Sequence, residues 1–174
     1  MGGFMDKFEK YLNEKENEKI KLALTDTTAV TLNKNGINKK NERFKDVNSQ
    51  ESNKQLSTLG DSIIKFYLCS YFYGKEENIS EKKKYYETDE FLVSVIAKHY
   101  NLLNKLDYDS TKKPNDYNYI KRGKTSTGKN RKSHNDHKFI ATAVEAMIGA
   151  ICLINKKGNW FDEISSILKE WMTF

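Results

Sequence analysis

The chain has 174 residues, 37% hydrophobic and 31% charged, with a formal net charge of +6. That length suits one domain with a core of its own, and 9 Phe, 10 Tyr and 2 Trp exclude a disordered tail. Cys69 and Cys152 lie inside apolar runs and form neither a disulfide framework nor a metal-type Cys/His spacing, so a reducing cytoplasm is the expected compartment.

In chain order, Phe4 to Leu24 reads as a helix, with Phe4, Phe8, Tyr11 and Leu12 on one face and then Ile20, Leu22 and Leu24. Residues 31 to 49 are polar and read as a loop, after which Ser49 or Ser52 is placed to cap a helix. That helix, Gln50 to Tyr73, has Leu56, Leu59, Ile63, Phe66 and Tyr73 on one side and Ile64, Tyr67, Leu68 and Tyr71 on a second, which predicts a central position. Its remaining polar stripe is Gln50, Lys54, Ser57, Asp61 and Lys65. Residues 74 to 84 read as a charged connection, and Thr88 opens an amphipathic helix extending to Leu106. Asp107 to Asn135 is polar, contains the one proline, Pro114, and has room for a short helix near Asp116 to Arg122. A second deeply apolar helix is expected from Asn135 to Asn155, stopped by Lys156, Lys157 and Gly158, and a last one from Trp160 to Met172. No repeat or strand alternation emerges, so the expectation is an all-α helical bundle forming a single domain over residues 1 to 174. There is no N-terminal signal region, and the apolar run Phe139 to Ile154 contains Glu145 and is too short for a bilayer, so no membrane association is expected.

The positive charge is concentrated. Between residues 121 and 138, Lys121, Arg122, Lys124, Lys129, Arg131, Lys132 and Lys138 stand against Asp136 alone, so this window carries the whole excess. A compact basic segment in an otherwise balanced chain points to a polyanion partner; the bland alternative is a solvated loop in a lysine-rich chain.

Glu145 is the one charge in "FIATAVEAMIGAICLI". A carboxylate in such surroundings needs a metal ion, a basic side chain or a displaced pKa, unless it sits at a rim and reaches solvent or a lysine. Asp61 follows Gly60 in the other apolar helix. A mid-helix glycine costs roughly 1 kcal/mol against alanine, which points to a close approach by another backbone. Asp61 has its own bland reading, an ion pair with Lys65 one turn away. Taken together, two acids on two central helices, each beside small residues (Gly60 and Ser62; Ala141, Ala143, Ala146 and Gly149), are placed to meet where those helices pack. Such a pair suits Mg²⁺, which keeps several waters and binds phosphate oxygens, and the basic window enters directly before Glu145. His134 and His137 read as polar residues at a helix start, and His99 as lying on a polar helix edge.

These segments resemble a known family. "NKQLSTLGDSII", residues 53 to 64, is similar to the ribonuclease III signature N-E-R-L-E-F-L-G-D-A-V. "IATAVEAMIGAICL", residues 140 to 153, is similar to its second motif, A-D-x-F-E-A-L-I-G-A-x-Y-L. "EFLVSVIAKHYNLL" resembles the helix between them, and "LALTDTTAV" the upstream L-x-x-A-L-T-H-x-S segment. The resemblance covers nearly the whole chain. It implies the ribonuclease III endonuclease domain fold, a homodimer formed through the helix of the first motif, and a valley in which double-stranded RNA is cut with Mg²⁺, or Mn²⁺ in its place. Of the family's four acidic positions, two carry over, Asp61 and Glu145. The other two fall on Ser57 and Thr142, which become candidates for supporting contacts to the metal, and the first glutamate of the signature falls on Lys54. The stretch "IKRGKTSTGKNRKSH" and the absence of room for a separate double-stranded-RNA-binding domain resemble the Mini-III branch.

Two functions follow from the resemblance. One is a Mg²⁺-dependent endoribonuclease that uses Asp61 and Glu145 as catalytic metal ligands and grips phosphates with Lys121, Arg122, Lys124, Lys129, Arg131 and Lys132. The other is a catalytically inactive protein of the same fold that binds RNA or acts as a scaffold, as the losses at Ser57 and Thr142 suggest.

Overall fold

The computed structural model describes residues 6–14, 16–26, 53–75, 77–108, 116–117 and 137–174. Among these residues the regular structure is helical, with no strand, as expected. Two helices organise the rest: α3, Asn53–Phe72, and α6, Lys138–Ile154. The stretch from Phe139 to Ile151 on α6 is buried apart from Thr142 and Glu145, and such an all-round apolar helix is stable only when neighbours cover every side. α3 covers one side with Leu56, Gly60, Ile63, Ile64, Tyr67 and Leu68, and this is the most extensive helix pairing in the molecule. α7, Trp160–Trp171, buries Ile164, Ile167, Leu168 and Trp171 against the core.

The expected single helix from Phe4 to Leu24 is instead two, α1, Lys7–Leu12, and α2, Glu18–Ala23. The Asp6 carboxylate accepts from the Phe8 and Glu9 amides at the start of α1, and the Asn17 side chain accepts from the Lys19 amide at 3.0 Å to begin α2. An asparagine that caps a new helix competes with continuing the old one. The break lets Phe8, Tyr11 and Leu12, and then Ile20 and Ala23, all reach the core.

The expected connection over residues 74 to 84 is also partly helical. Gly74, at φ +74°, closes α3 in the left-handed region, and α4, Ile79–Tyr86, follows from Asn78, whose side chain accepts from the Glu81 amide at 3.2 Å. The third departure is the helix opened by Thr88. It begins as α5, Asp89–Phe91, with the Thr88 hydroxyl accepting from the Phe91 amide at 3.1 Å. It then widens into a π-helical segment, Leu92–Ala97, whose Leu92, Val93, Ile96 and Ala97 are all buried. Asn101, at φ 50°, ends it ahead of a 3₁₀ turn, Leu102–Asn104, so no continuous helix reaches Leu106. Past that turn, Asp107 exchanges backbone hydrogen bonds of 2.9 Å with Leu24 and Asp26.

At one pole, Phe8 packs on Tyr100 (ring centroids 4.7 Å apart) and edge-on against Trp171 (5.1 Å), while the Tyr100 hydroxyl donates to Asp6. The loop 31 to 49, the caps Ser49 and Ser52, and all but the first two residues of the short helix expected near Asp116 to Arg122 lie outside the described residues. Among the described residues no helix is long and apolar enough to cross a membrane.

Candidate functional site

The site begins with two glycines. A Cβ on Gly60 of α3 would stand 1.8 Å from the carbonyl oxygen of Glu145 and 3.0 Å from the amide nitrogen of Gly149. A Cβ on Gly149 of α6 would stand 2.2 Å from the carbonyl oxygen of Leu56. The helices therefore meet main chain to main chain, as the mid-helix glycine predicted, and the contact on the α6 side is Glu145 itself. Asp61 is the next residue after the contact on the α3 side.

The two carboxylates feel each other. Burial raises the Glu145 pKa to about 7, and the negative charges of Asp61 and Asp89 add to that, against Lys138 and Lys65. Glu145 is partly buried, and among the described residues its carboxylate has neither an ion pair nor a hydrogen bond. It thus sits at a rim open to solvent without the lysine partner of the bland reading. For Asp61 the bland reading does hold: Lys65 donates to its Oδ2 at 2.7 Å, and this bond holds the lysine pKa above its ordinary value.

Ser57 is buried one turn before Asp61, and its hydroxyl donates to the Lys54 carbonyl at 3.1 Å, which leaves the oxygen able to accept. Thr142 is partly exposed, three residues before Glu145 and so on the same face of α6. The structure adds one acid the sequence reading passed over, Asp89. Its signal was the T-D-E start of the helix opened by Thr88, a pattern that reads as capping alone.

His137 is buried at the start of α6 and its Nε2 lies 2.9 Å from Asp116 Oδ1, so it ties the start of that helix to Asp116, in keeping with its reading as a polar residue at a helix start. The neighbouring Tyr117 hydroxyl accepts from the Leu103 amide at 2.8 Å. His99 is exposed and stacks on Phe174 at 4.2 Å. Lys121, Arg122, Lys124, Lys129, Arg131, Lys132 and His134 lie outside the described residues.

Asp61 and Glu145 supply two carboxylates, the glutamate raised first by burial and then by the neighbouring negative charge, and such oxygen donors suit a divalent cation that keeps much of its water shell. Among the described residues no group of three or more His, Cys, Asp or Glu is arranged to enclose a metal, so any such ion would be held by few protein ligands.

Comparison with known proteins gives three findings. The profile of the ribonuclease III domain family matches residues 54–156, which include both helices of the seam. Among solved structures, the chain is similar to the nuclease domain of ribonuclease III from Campylobacter jejuni, at 18% identity and a TM-score of 0.58, over 97% of this chain and 95% of that one. That protein is described as flexible in a region involved in dimer formation. No curated protein sequence matches the chain.

Proposed function

The chain belongs to the ribonuclease III domain family, and from that premise we propose that it is a homodimeric, Mg²⁺-dependent endoribonuclease that hydrolyses phosphodiester bonds in double-stranded RNA. The observation that carries this reading is the glycine seam, which sets Asp61 beside the backbone of Glu145 and leaves the glutamate carboxyl without a partner. Asp61 and Glu145 would hold the ion, with Ser57 and Thr142 able to hydrogen-bond its waters. When bound, Mg²⁺ neutralises charge on the scissile phosphate and acidifies a water. The chain's own contribution is placement and proton handling. The Glu145 carboxyl gives up its proton near neutrality, and Asp61 becomes a free ligand once Lys65 swings aside toward solvent or phosphate.

Lys121, Arg122, Lys124, Lys129, Arg131 and Lys132 would grip the backbone of the duplex. Recognition would be by shape, since A-form RNA hides its bases in a deep, narrow major groove, and affinity would fall steeply with salt. The homodimer is supported by exposed aromatic side chains, Phe66 on the outer face of α3 at 61% and Tyr73 just past its end at 79%. Within the family we place the chain nearest the Mini-III branch, on the strength of its basic stretch and its two replaced acids.

A long RNA duplex incubated with Mg²⁺ tests the reading. The wild type is expected to cut it, and Asp61→Asn and Glu145→Gln each to slow cutting by roughly a hundredfold or more. Cleavage that survives both substitutions defeats the site assignment. The Asp61–Lys65 pair and the replaced acids favour one rival, an inactive RNA-binding or scaffold protein. That rival prevails if the wild type binds the duplex yet leaves it intact with Mg²⁺ and Mn²⁺.

A further inference from the structure

One turn apart on α3, Asp61 and Lys65 form an ion pair in which the ammonium donates to Oδ2 at 2.7 Å. The lysine side chain is 49% exposed and the aspartate 36%, so the lysine can leave into solvent without a change in the fold. An ion pair this exposed is weak, and a doubly charged ion can break it. The seam explains why a positive charge is wanted there. Main-chain contact at Gly60 and Gly149 fixes α3 against α6, and with it the points from which the Asp61 and Glu145 side chains depart. The helices cannot move apart to ease the meeting of two acids, so relief has to come from a side chain that can move. Lys65 is such a side chain. Glu87, whose charge also reaches Lys65, is engaged by Lys83 at 2.5 Å, which leaves Lys65 to Asp61.

We propose that Lys65 is a tethered counter-ion of the metal site, whose ammonium holds Asp61 until a divalent ion takes its place. This rests on the metal reading of the proposed function and deepens it. Uptake of Mg²⁺ or Mn²⁺ is then an exchange of one cation for another, so Lys65 sets how tightly the site binds its metal. The lysine competes in two ways: it occupies a ligand oxygen, and its charge repels the incoming ion.

The test is calorimetric titration of the full chain with Mn²⁺ alone, without RNA. Lys65→Gln removes the charge while keeping a similar helix propensity, and it is expected to bind Mn²⁺ about three- to tenfold more tightly than the wild type. Damage to the fold does not produce a gain in affinity, so a merely structural role for Lys65 cannot imitate this result. Lys65→Arg keeps the charge and should bind as the wild type does. Lys75→Gln removes the same charge beyond the end of α3, where Lys75 lies over the Tyr71 ring, and should also change nothing. Uptake by Lys65→Gln where the wild type shows none supports the exchange in its strongest form. Wild-type or weaker affinity in Lys65→Gln overturns this inference alone, since the ion would then bind Asp61 alongside the lysine. An equal gain in Lys65→Arg or Lys75→Gln overturns it as well. No uptake by wild type or Lys65→Gln overturns the metal reading and this inference with it.

Discussion

The α3–α6 seam and the aromatic pole around Phe8 are both buried contacts between helices, yet they are built in opposite ways. Where Gly60 and Gly149 cross, no side chain separates the helices: glycine meets carbonyl, and the separation there is set by main-chain atoms. At the pole the separation is set by rings, with Phe8 between Tyr100 and Trp171 and the Tyr100 hydroxyl anchored on Asp6. Side chains can change rotamer and a ring gap can be partly refilled, whereas a helix backbone cannot move without carrying all its other contacts along. The seam should therefore tolerate little and the pole more, and the candidate site lies on the intolerant side.

The sharpest way to break this comparison is Gly60→Ala. A methyl group placed 1.8 Å from a carbonyl oxygen forces the helices apart, and we expect a loss of about 3 kcal/mol or more in urea unfolding, with RNA cleavage falling alongside. A cost within the range of a surface substitution would mean the seam is looser than described.

Glu145→Gln comes next and has the opposite sign at high pH. Its folded pKa of about 7 lies above the ordinary 4.5, so the folded protein binds this proton more tightly than the unfolded chain. The resulting stability is complete below pH 4.5 and is lost as pH rises through 7. Without divalent ions, the variant should be more stable than wild type at pH 8 by about 1–2 kcal/mol, after allowing for the screening of a carboxyl that touches solvent, with a smaller gap at pH 5. Equal stabilities at both pH values would show that the seam imposes no strain on its acid.

The smallest effect belongs to the pole. Phe8→Leu keeps the site apolar and lets Tyr100 and Trp171 close in, so about 1 kcal/mol is expected by thermal unfolding. A loss as large as that of Gly60→Ala would erase the distinction.

The sequence revealed the seam more readily than the elements around it. The long helices carry apolar faces at three- and four-residue spacing, and Gly60 and Glu145 are conspicuous because each is unfavourable where it stands unless something specific adjoins it. The break between α1 and α2 was hidden because "LNEKENEKI" has good helix formers and no glycine or proline; its signal was the capping capacity of Asn17. α4 was hidden because it buries no residue, so periodicity had nothing to report, although Asn78 and Glu81 stand at capping-box spacing. The π-helical turn left no mark in the pattern, since its four buried apolar residues, Leu92, Val93, Ile96 and Ala97, fit an ordinary helical spacing equally well. Asp89 stands where an acid is expected at a helix start, and so it escaped a reading that found Asp61 and Glu145 from their isolation alone.

Because a carbonyl oxygen fills the space where Gly60 lacks a methyl, the places from which side chains 61 and 145 emerge belong to the scaffold and are independent of what those side chains are. The seam can accordingly serve as a fixed jig. Histidine or cysteine installed at either position would depart from the same point on the helix as the present acid, so the chemistry there can be re-tooled toward softer metals while the framework is left alone.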